Sequence, residues 1–282
     1  MMAPVAVITL AHERHDHLRR QHRSLAVGTR VPDLYVVVAI DDDVVATWGP
    51  AHGLTPTIAR VDRSGPLPLA RARNVGARTA WESGARTLVF LDVDCLAGPE
   101  LVAAYDVAVT DAPGTIWSGP VSYLPAGLSE KELTRPWSYD EPHPARPAPD
   151  PGHVVRQTDP DLFWSLSFAL HRDAWQRSGG FCEDYTGYGG EDTDFAQQAA
   201  QRGLDFAWVG SARAYHQHHP VQDPPVDHLD DIVRNATLFH ARWGRWPMTG
   251  WLEEFERLGL LRHTADGWTR VCPSRTRVPG SS

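Results

Sequence analysis

The chain has 282 residues, of which 42% are apolar, with a formal net charge of −8 and a pI near 5.9. This length allows one large domain or two small ones, and the negative charge argues against a general nucleic-acid binder, which needs a basic face. Lys131 is the only lysine, which excludes a Walker-type phosphate loop and argues against lysine Schiff-base chemistry. Three cysteines without C-x-x-C spacing indicate neither a disulfide framework nor a zinc knuckle, so we expect a reducing cytoplasm.

The N-terminal half predicts strands that alternate with helices. Apolar runs at 5–11, 34–40 and 86–95 are typical of buried strands, a charged helix follows the first run, and a proline-led helix is predicted over 66–84. This order predicts an α/β fold with a mostly parallel central sheet flanked by helices. No apolar run approaches 18 residues, so we expect any membrane contact to be peripheral, at the inner membrane face.

The second half predicts one long irregular segment and several further elements. A strand is predicted over 115–125, and residues 125–160 contain eight prolines and few apolar residues, which is typical of a lid or another irregular excursion. A strand and a short helix are predicted over 163–181, and a helix over 191–203. A proline-rich linker then leads to two amphipathic helices near the C-terminus, and the last dozen residues resemble a tail.

Acidic residues follow two of the predicted strands. Three aspartates begin at Asp41, and Asp92 and Asp94 stand at the acidic end of the run over 86–95. Ligands of such sheets bind beyond the carboxyl ends of the strands, so these acids indicate a site. Asp92 and Asp94 are spaced so that both can surround one cation.

A histidine cluster, "HQHH", contains His216, His218 and His219 and follows a strand-like run. Carboxylates with a histidine favour Mn²⁺ or Mg²⁺ when a phosphorylated ligand supplies the other oxygens. His216 and His218 lie two residues apart and would share one side of an extended strand, so either is a candidate metal ligand. The alternative interpretation is a solvated turn.

The stretch "GYGGEDTDF" places two glycines before three crowded acids. Like charges this close repel unless a cation, a proton or a hydroxyl relieves them. Glu191, Asp192 and Asp194 therefore indicate a binding site. The alternative is that they stabilise the N-terminus of the following helix.

In order, "VAVITLAHERHDHL", "VVVAIDDD", "LARARNVGARTA", "VFLDVDC", "GGFCEDYTGYGGEDTDFAQQAAQRG" and "YHQHHP" resemble a GT-A glycosyltransferase. The first half is similar to glycosyltransferase family 2, and "GYGGEDTDF" is similar to the C-terminal module of galactosyltransferases and polypeptide N-acetylgalactosaminyltransferases. The resemblance runs from about Pro4 to His219. It implies a GT-A domain over 1–219, with a nucleotide-sugar half to about 124, a proline-rich loop over 125–160 and an acceptor half over 161–219. Residues 220–282 would add a linker, helices and a tail.

The resemblance also implies site residues. Asp41 or Asp42 would recognise the base and ribose, and which of the two does so stays open because the family's "DDGS" is "DDDV" here. Asp94 would bind the metal and Asp92 the ribose or a metal-bound water. The other residues implied to bind the nucleotide sugar are Ala11, His12, Arg14, Arg71, Arg73, Val93, Gly189 and Gly190.

For catalysis the resemblance implies that Asp192 is the general base that deprotonates an acceptor hydroxyl, with Glu191 holding sugar hydroxyls. The donor is expected to be a UDP-hexose, and the acceptor a glycan, a lipid-linked sugar or a small molecule. Trp164 and Tyr188 are candidate sugar-stacking residues. We expect inversion of configuration. The alternatives are a retaining enzyme of the same fold, a sugar nucleotidyltransferase, or a non-catalytic nucleotide-sugar- or glycan-binding protein.

Overall fold

A computed structural model describes residues 3–220 and 222–271. Within these ranges it contains two compact units: 3–186 with Glu191–Pro220 form the first, and Gly187–Gly190 with 222–271 form the second. The part of the predicted tail from Cys272 onward lies outside the described residues. No helix within the described ranges is both long and apolar enough to cross a bilayer.

The first unit alternates strands and helices along the chain. Its helices are α1 (His15–Ala26), α2 (Asp43–Ala46), α3 (Leu69–Glu82), α4 (Leu101–Asp111), α5 (Arg172–Ser178) and α6 (Glu191–Gln201). Its strands are β1 (Val5–Ala11), β2 (Leu34–Ile40), β3 (Pro56–Val61), β4 (Thr87–Leu91), β5 (Cys95–Ala97), β6 (Thr115–Ser118), β7 (Val121–Tyr123), β8 (Val154–Gln157), β9 (Ser167–His171), β10 (Asp205–Val209) and β11 (Ala214–His216).

Eight of these strands form one sheet in the order β3-β2-β1-β4-β9-β6-β10-β8. The neighbours among β1, β2, β3 and β4 are parallel, as are β6 and β10. β9 runs antiparallel to both β4 and β6, and β8 runs antiparallel to β10 at the edge. The predicted α/β architecture with a mostly parallel sheet is confirmed.

Helices cover both faces of this sheet, which is why β1 is buried along its whole length. Val7 packs in one core with Leu18 of α1, whereas its neighbour Ile8 packs in the other core with Ala77 of α3. A Cβ at Gly76 would lie 2.5 Å from a methyl group of Ile8, so the glycine lets α3 approach the sheet closely. Alternate side chains of β1 thus pack in two different apolar cores.

A second sheet of three strands brings distant segments together, with β11 antiparallel to β5 and parallel to β7. In this register His216 lies opposite Cys95 on one side and Tyr123 on the other. Cys95 directly follows Asp94. The histidine cluster and the acids after β4 therefore meet at one edge of the fold.

The structure differs from the sequence prediction in several elements. The predicted strand over 115–125 is divided into β6 and β7. The segment 125–160 is only partly irregular, because it contains 3-10 turns at Glu132–Thr134 and Pro136–Tyr139 and ends in β8, which adds an edge to the large sheet. β3, α4 and β10 have no counterpart in the prediction.

The second unit contains α7 (Leu229–Trp243), α8 (Thr249–Arg257) and a hairpin of β12 (Leu261–Thr264) and β13 (Gly267–Arg270). Its core includes Ile232, Leu252, Phe255 and Trp268. The two predicted helices are present, whereas the hairpin had no counterpart in the prediction.

Candidate active site

The turn "DVDC" after β4 is held in place from a neighbouring helix. The buried amide of Gln21 on α1 donates to the carbonyls of Asp92 at 2.7 Å and Cys95 at 3.0 Å. Tyr35 in turn donates to the amide oxygen of Gln21 at 3.0 Å. Between the two acids, Val93 is 8% exposed and packs in the core. The two carboxylates therefore project from a fixed backbone.

Asp94 is surrounded by cationic and imidazole groups. Its Oδ1 accepts a hydrogen bond from Nδ1 of His17, Arg14 Nε lies 3.7 Å from the same oxygen, and His219 Nε2 lies 3.5 Å from Oδ2. Burial alone would raise the pKa of Asp94, but the His17 hydrogen bond and the nearby charges lower it overall. Asp94 is thus held as a carboxylate.

Asp94, His216 and His219 form a group able to hold a metal ion, with one ligand atom from each lying within 4.8 Å of the others. Burial lowers the pKa of His216 to about 4, which leaves its ring neutral and able to coordinate. One carboxylate and two imidazoles suit a first-row transition ion such as Mn²⁺ better than Mg²⁺, which prefers oxygen ligands. The donor set therefore fits the expected cation.

His218 does not join this group: its side chain is exposed, and His219 occupies the position expected of it. The prediction rested on strand alternation, but β11 ends at His216. The next backbone amide, that of Gln217, donates to the Asp94 carbonyl at 2.7 Å. The strand assignment ends there, so the two-residue period of a strand does not determine which of the following histidines faces Asp94.

Arg73 joins the acids after β4 to the acids of α6. It is 4% exposed, and its guanidinium lies 3.0 Å from Glu191 Oε1 and 3.5 Å from Asp92 Oδ1. Burial raises the pKa of Asp92 to about 6, against the opposing effect of Arg73. Two motifs separated by about a hundred residues thus share one buried cation. Arg71, two residues earlier on α3, is exposed.

Asp192 lies beside Glu191 in the first turn of α6. Burial first, and then the negative charge of Glu191, raise the pKa of Asp192 to about 7, partly offset by Arg73. The backbone amide of Thr193 donates to Asp192 Oδ1 at 2.7 Å. The carboxyl can therefore exchange a proton near neutral pH, as a general base must. Asp194 is fully buried and accepts a hydrogen bond from Tyr185, which is a structural contact.

We expect Arg73→Met to lower the free energy of unfolding by about 3 kcal/mol near pH 8, because a broken buried ion pair leaves uncompensated charge. A carboxyl whose folded-state pKa exceeds its unfolded value destabilises the fold as the pH rises through that interval. Without Arg73 the pKa of Asp92 should rise further, so that more of this carboxyl is protonated near pH 5. The loss in free energy of unfolding should therefore be smaller near pH 5 than near pH 8. Urea unfolding at both pH values measures it. Arg71→Met is the matched control, and equal losses for the two variants would contradict the expected role of Arg73.

The end of β2 holds the loop between β1 and α1. Asp42 accepts hydrogen bonds from the backbone amides of Val44 and Val45 at 3.0 Å, from the amide of Glu13 at 2.8 Å and from His15 at 2.9 Å. Burial would raise the pKa of Asp42, but these hydrogen bonds lower it to about 2.

The other residues predicted at this end of the sheet differ in exposure. His12 Nδ1 lies 2.8 Å from the carbonyl of Ile40, and Ala11 is buried at the end of β1. Asp41 is exposed and lies 3.3 Å from Arg63.

Three predicted residues belong to the second unit. Asn235 donates to the carbonyls of Tyr188 at 3.3 Å and Gly189 at 2.8 Å, and the Tyr188 ring stacks on His228 with centroids 4.6 Å apart. Gly189 and Gly190 both have φ near +90°, a conformation that favours glycine. The glycine pair is therefore required by the turn itself. In the first unit, Trp164 is partly exposed and packs edge-on against His143.

Sequence reasoning did not identify Gln21, His17 or His219 as site residues. Gln21 and His17 lie four residues apart on α1, among the charged residues of "HERHDHLRRQHRSLA", and nothing in that pattern marks the face that meets the turn after β4. His219 had a signal in "HQHH", but the alternation rule favoured its neighbour.

A family model and a sequence relative each match part of this chain. Residues 156–220 match the family model described as the N-terminal domain of galactosyltransferase. The validoxylamine A glucosyltransferase of Streptomyces hygroscopicus subsp. limoneus is 31% identical over 233 residues. That alignment covers 71% of this chain and 48% of the relative, so the chain spans about half the length of the relative.

Solved structures share the fold at low sequence identity. GalNAc-T7, crystallised with UDP, GalNAc and Mn²⁺, has a TM-score of 0.58 and 16% identity, covering 77% of this chain and 44% of that one. Residues 1–349 of S. aureus TarS in complex with UDP have a TM-score of 0.56 and 13% identity, covering 91% and 78%. The resemblance predicted from the ordered motifs is confirmed: the chain has the GT-A glycosyltransferase fold and is related in sequence to glycosyltransferases.

Proposed function

We propose that the chain is a metal-dependent glycosyltransferase that moves a hexose from a UDP-sugar to a hydroxyl acceptor with inversion. The observation that carries the proposal is the shared cation Arg73, which contacts both Asp92 of the turn after β4 and Glu191 of α6. The acids expected to serve the donor and those expected to serve the reaction are thereby parts of one site. The relative named a glucosyltransferase makes glucose the first sugar to test.

The donor half of the proposal uses the group Asp94, His216 and His219 as metal ligands. Bound Mn²⁺ would stabilise the negative charge on the departing diphosphate. Arg14 and His17 lie beside Asp94, and we assign them to the phosphates and to the orientation of the carboxylate, respectively.

Among the acids after β2, we assign Asp41 to the base or ribose and Asp42 to loop structure. Both carboxylate oxygens of Asp42 already accept hydrogen bonds from the protein, whereas Asp41 is exposed beside Arg63. His12 and Ala11 would line the base, and Arg71 is the exposed arginine available to the nucleotide.

The reaction half of the proposal uses Asp192 as general base. The acceptor oxygen attacks the anomeric carbon as the bond between that carbon and the diphosphate oxygen breaks, and the hydroxyl proton passes to Asp192. Glu191 is the second carboxylate, available to sugar hydroxyls. Trp164 would stack on a sugar ring. A protein that only binds sugars would have no use for a carboxyl poised near neutral pH.

Calorimetric titration with UDP and GDP, each with and without Mn²⁺, tests the donor assignment. We expect UDP to bind and Mn²⁺ to tighten its binding by at least about tenfold, since the metal would neutralise diphosphate charge. Stronger binding of GDP than of UDP would overturn the choice of donor. If neither UDP nor GDP binds in the presence of Mn²⁺, the proposed function is overturned.

A further inference from the structure

Arg146 is a buried arginine that has no ion-pair partner among the described residues. It lies in the proline-rich segment, its side chain is 7% exposed, and its Nε and Nη2 atoms are buried with no hydrogen-bond acceptor. Within residues 3–220 and 222–271 its guanidinium forms no ion pair. Burial lowers the pKa of Arg146, which reflects a charge held away from water.

Comparison with Arg73 shows that Arg146 lacks a carboxylate at ion-pair distance among the described residues. Both arginines are buried, but Arg73 has the carboxylates of Glu191 and Asp92 within 3.5 Å. Around Arg146 the nearest compensation is aromatic: the guanidinium carbon lies 4.4 Å from the ring centroid of Trp164 and 5.6 Å from that of Trp208. Such contacts recover only part of the cost of burying a charge. The Nε and Nη2 donors remain unmet.

Arg146 also stands at one end of a row of rings that begins at the metal-binding group. Tyr123 stacks on His216 with centroids 4.8 Å apart, His143 lies 5.6 Å from Tyr123, and Trp164 lies 5.2 Å from His143. Arg146 closes the row with its guanidinium over the Trp164 ring. The row thus connects the unmet donors of Arg146 to the neighbourhood of the metal-binding group.

We propose that Arg146, with Trp164, binds a hexose that carries a carboxylate or a phosphate. A guanidinium recognises both anions through paired hydrogen bonds, and an indole ring packs on the apolar face of a sugar. Both donors are covered in this structure, so the segment that carries Arg146 has to shift to admit the anion. The inference rests on the proposed function and narrows its substrate class. The charged hexose is either the acceptor or the transferred sugar.

The acceptor arm of the test titrates the full chain with glucuronate, glucose 6-phosphate and glucose, without nucleotide. We expect at least one charged sugar to bind about tenfold or more tightly than glucose, and this preference to vanish in Arg146→Met. Arg156→Met, an exposed arginine of the same segment, is the matched control and should keep the preference. Arg146→Lys should retain part of it, because the charge remains without the paired donors.

The donor arm compares UDP-glucuronate with UDP-glucose, with Mn²⁺ present, in the same variants. A preference for the charged sugar that is lost in Arg146→Met supports the proposed site. The arm in which the preference occurs shows whether the charged hexose is the acceptor or the transferred sugar. Equal affinities for charged and neutral sugars in both arms would overturn the inference, and so would a preference that survives in Arg146→Met. UDP binding by wild type reports separately on the proposed function, and UDP binding by Arg146→Met verifies that the variant is folded.

Discussion

Asp192→Asn is expected to reduce kcat by about 10²- to 10⁴-fold, because the amide cannot accept the acceptor proton in the transition state. The substitution keeps the shape of the side chain, and the metal-binding group does not include this residue. The affinity for UDP with Mn²⁺ should therefore stay within about twofold of wild type. Steady-state turnover of UDP-glucose and calorimetry on the same preparation measure the two quantities.

The pH dependence of the wild type gives an independent check on Asp192. Its pKa is raised to about 7, so the carboxylate able to accept a proton predominates only above that value. The kcat/KM of the wild type should thus fall about tenfold for each pH unit below 7, and this slope should be absent from the residual activity of Asp192→Asn.

Asp184→Asn supplies the control for these measurements. Asp184 is an exposed acid that precedes the glycine turn, and its substitution should leave both the rate and the pH profile unchanged. Retention of more than about a tenth of the wild-type kcat in Asp192→Asn would remove this residue from the role of base. A product of retained configuration, read by NMR of the anomeric proton, would also contradict a single displacement assisted by Asp192.

The sheet strands and their terminal acids were predictable, because a buried strand of a parallel sheet is a continuous apolar run in the sequence. β1 and β2 have the predicted bounds, and Asp92 and Asp94 lie at the carboxyl end of β4 as expected. β3 was missed: "PTIARV" is half-buried and contains a proline and an arginine. α4 was missed although its composition is apolar, since an apolar stretch of eleven residues has no polar face to reveal its period.

The contacts between the site residues were less predictable from the sequence than the identity of those residues. Arg73 and Glu191 were both candidates, yet their ion pair depends on how α3 and α6 are placed around the sheet, which no local pattern encodes. The unpaired Arg146 was not predicted at all. Its segment has the composition of a loop, and burial of one of its arginines depends on packing against Trp164 and Trp208, which lie elsewhere in the chain.

Single substitutions of the proposed metal ligands and of the neighbouring histidine test which of these residues bind Mn²⁺. His216→Ala and His219→Ala should each weaken the effect of Mn²⁺ on UDP binding by at least about tenfold, and Asp94→Ala should abolish it, with kcat lowered by about a thousandfold or more. His218→Ala removes an exposed imidazole from the same four-residue stretch and should behave as wild type. Titration of free Mn²⁺ by electron paramagnetic resonance measures metal affinity without any dependence on turnover.

The variants His218→Ala and His219→Ala together show which of these two neighbours binds the metal beside His216. Loss of Mn²⁺ affinity in His218→Ala, with His219→Ala unaffected, would restore the strand alternation and contradict the geometry in which β11 ends at His216. UDP binding without metal is the folding control, because the base and ribose would be held by the residues around Asp41, at the end of β2. Loss of Mn²⁺ affinity in His219→Ala but not in His218→Ala would have one physical cause: the metal needs a second imidazole beside Asp94 and His216, and His219 is the residue placed to supply it.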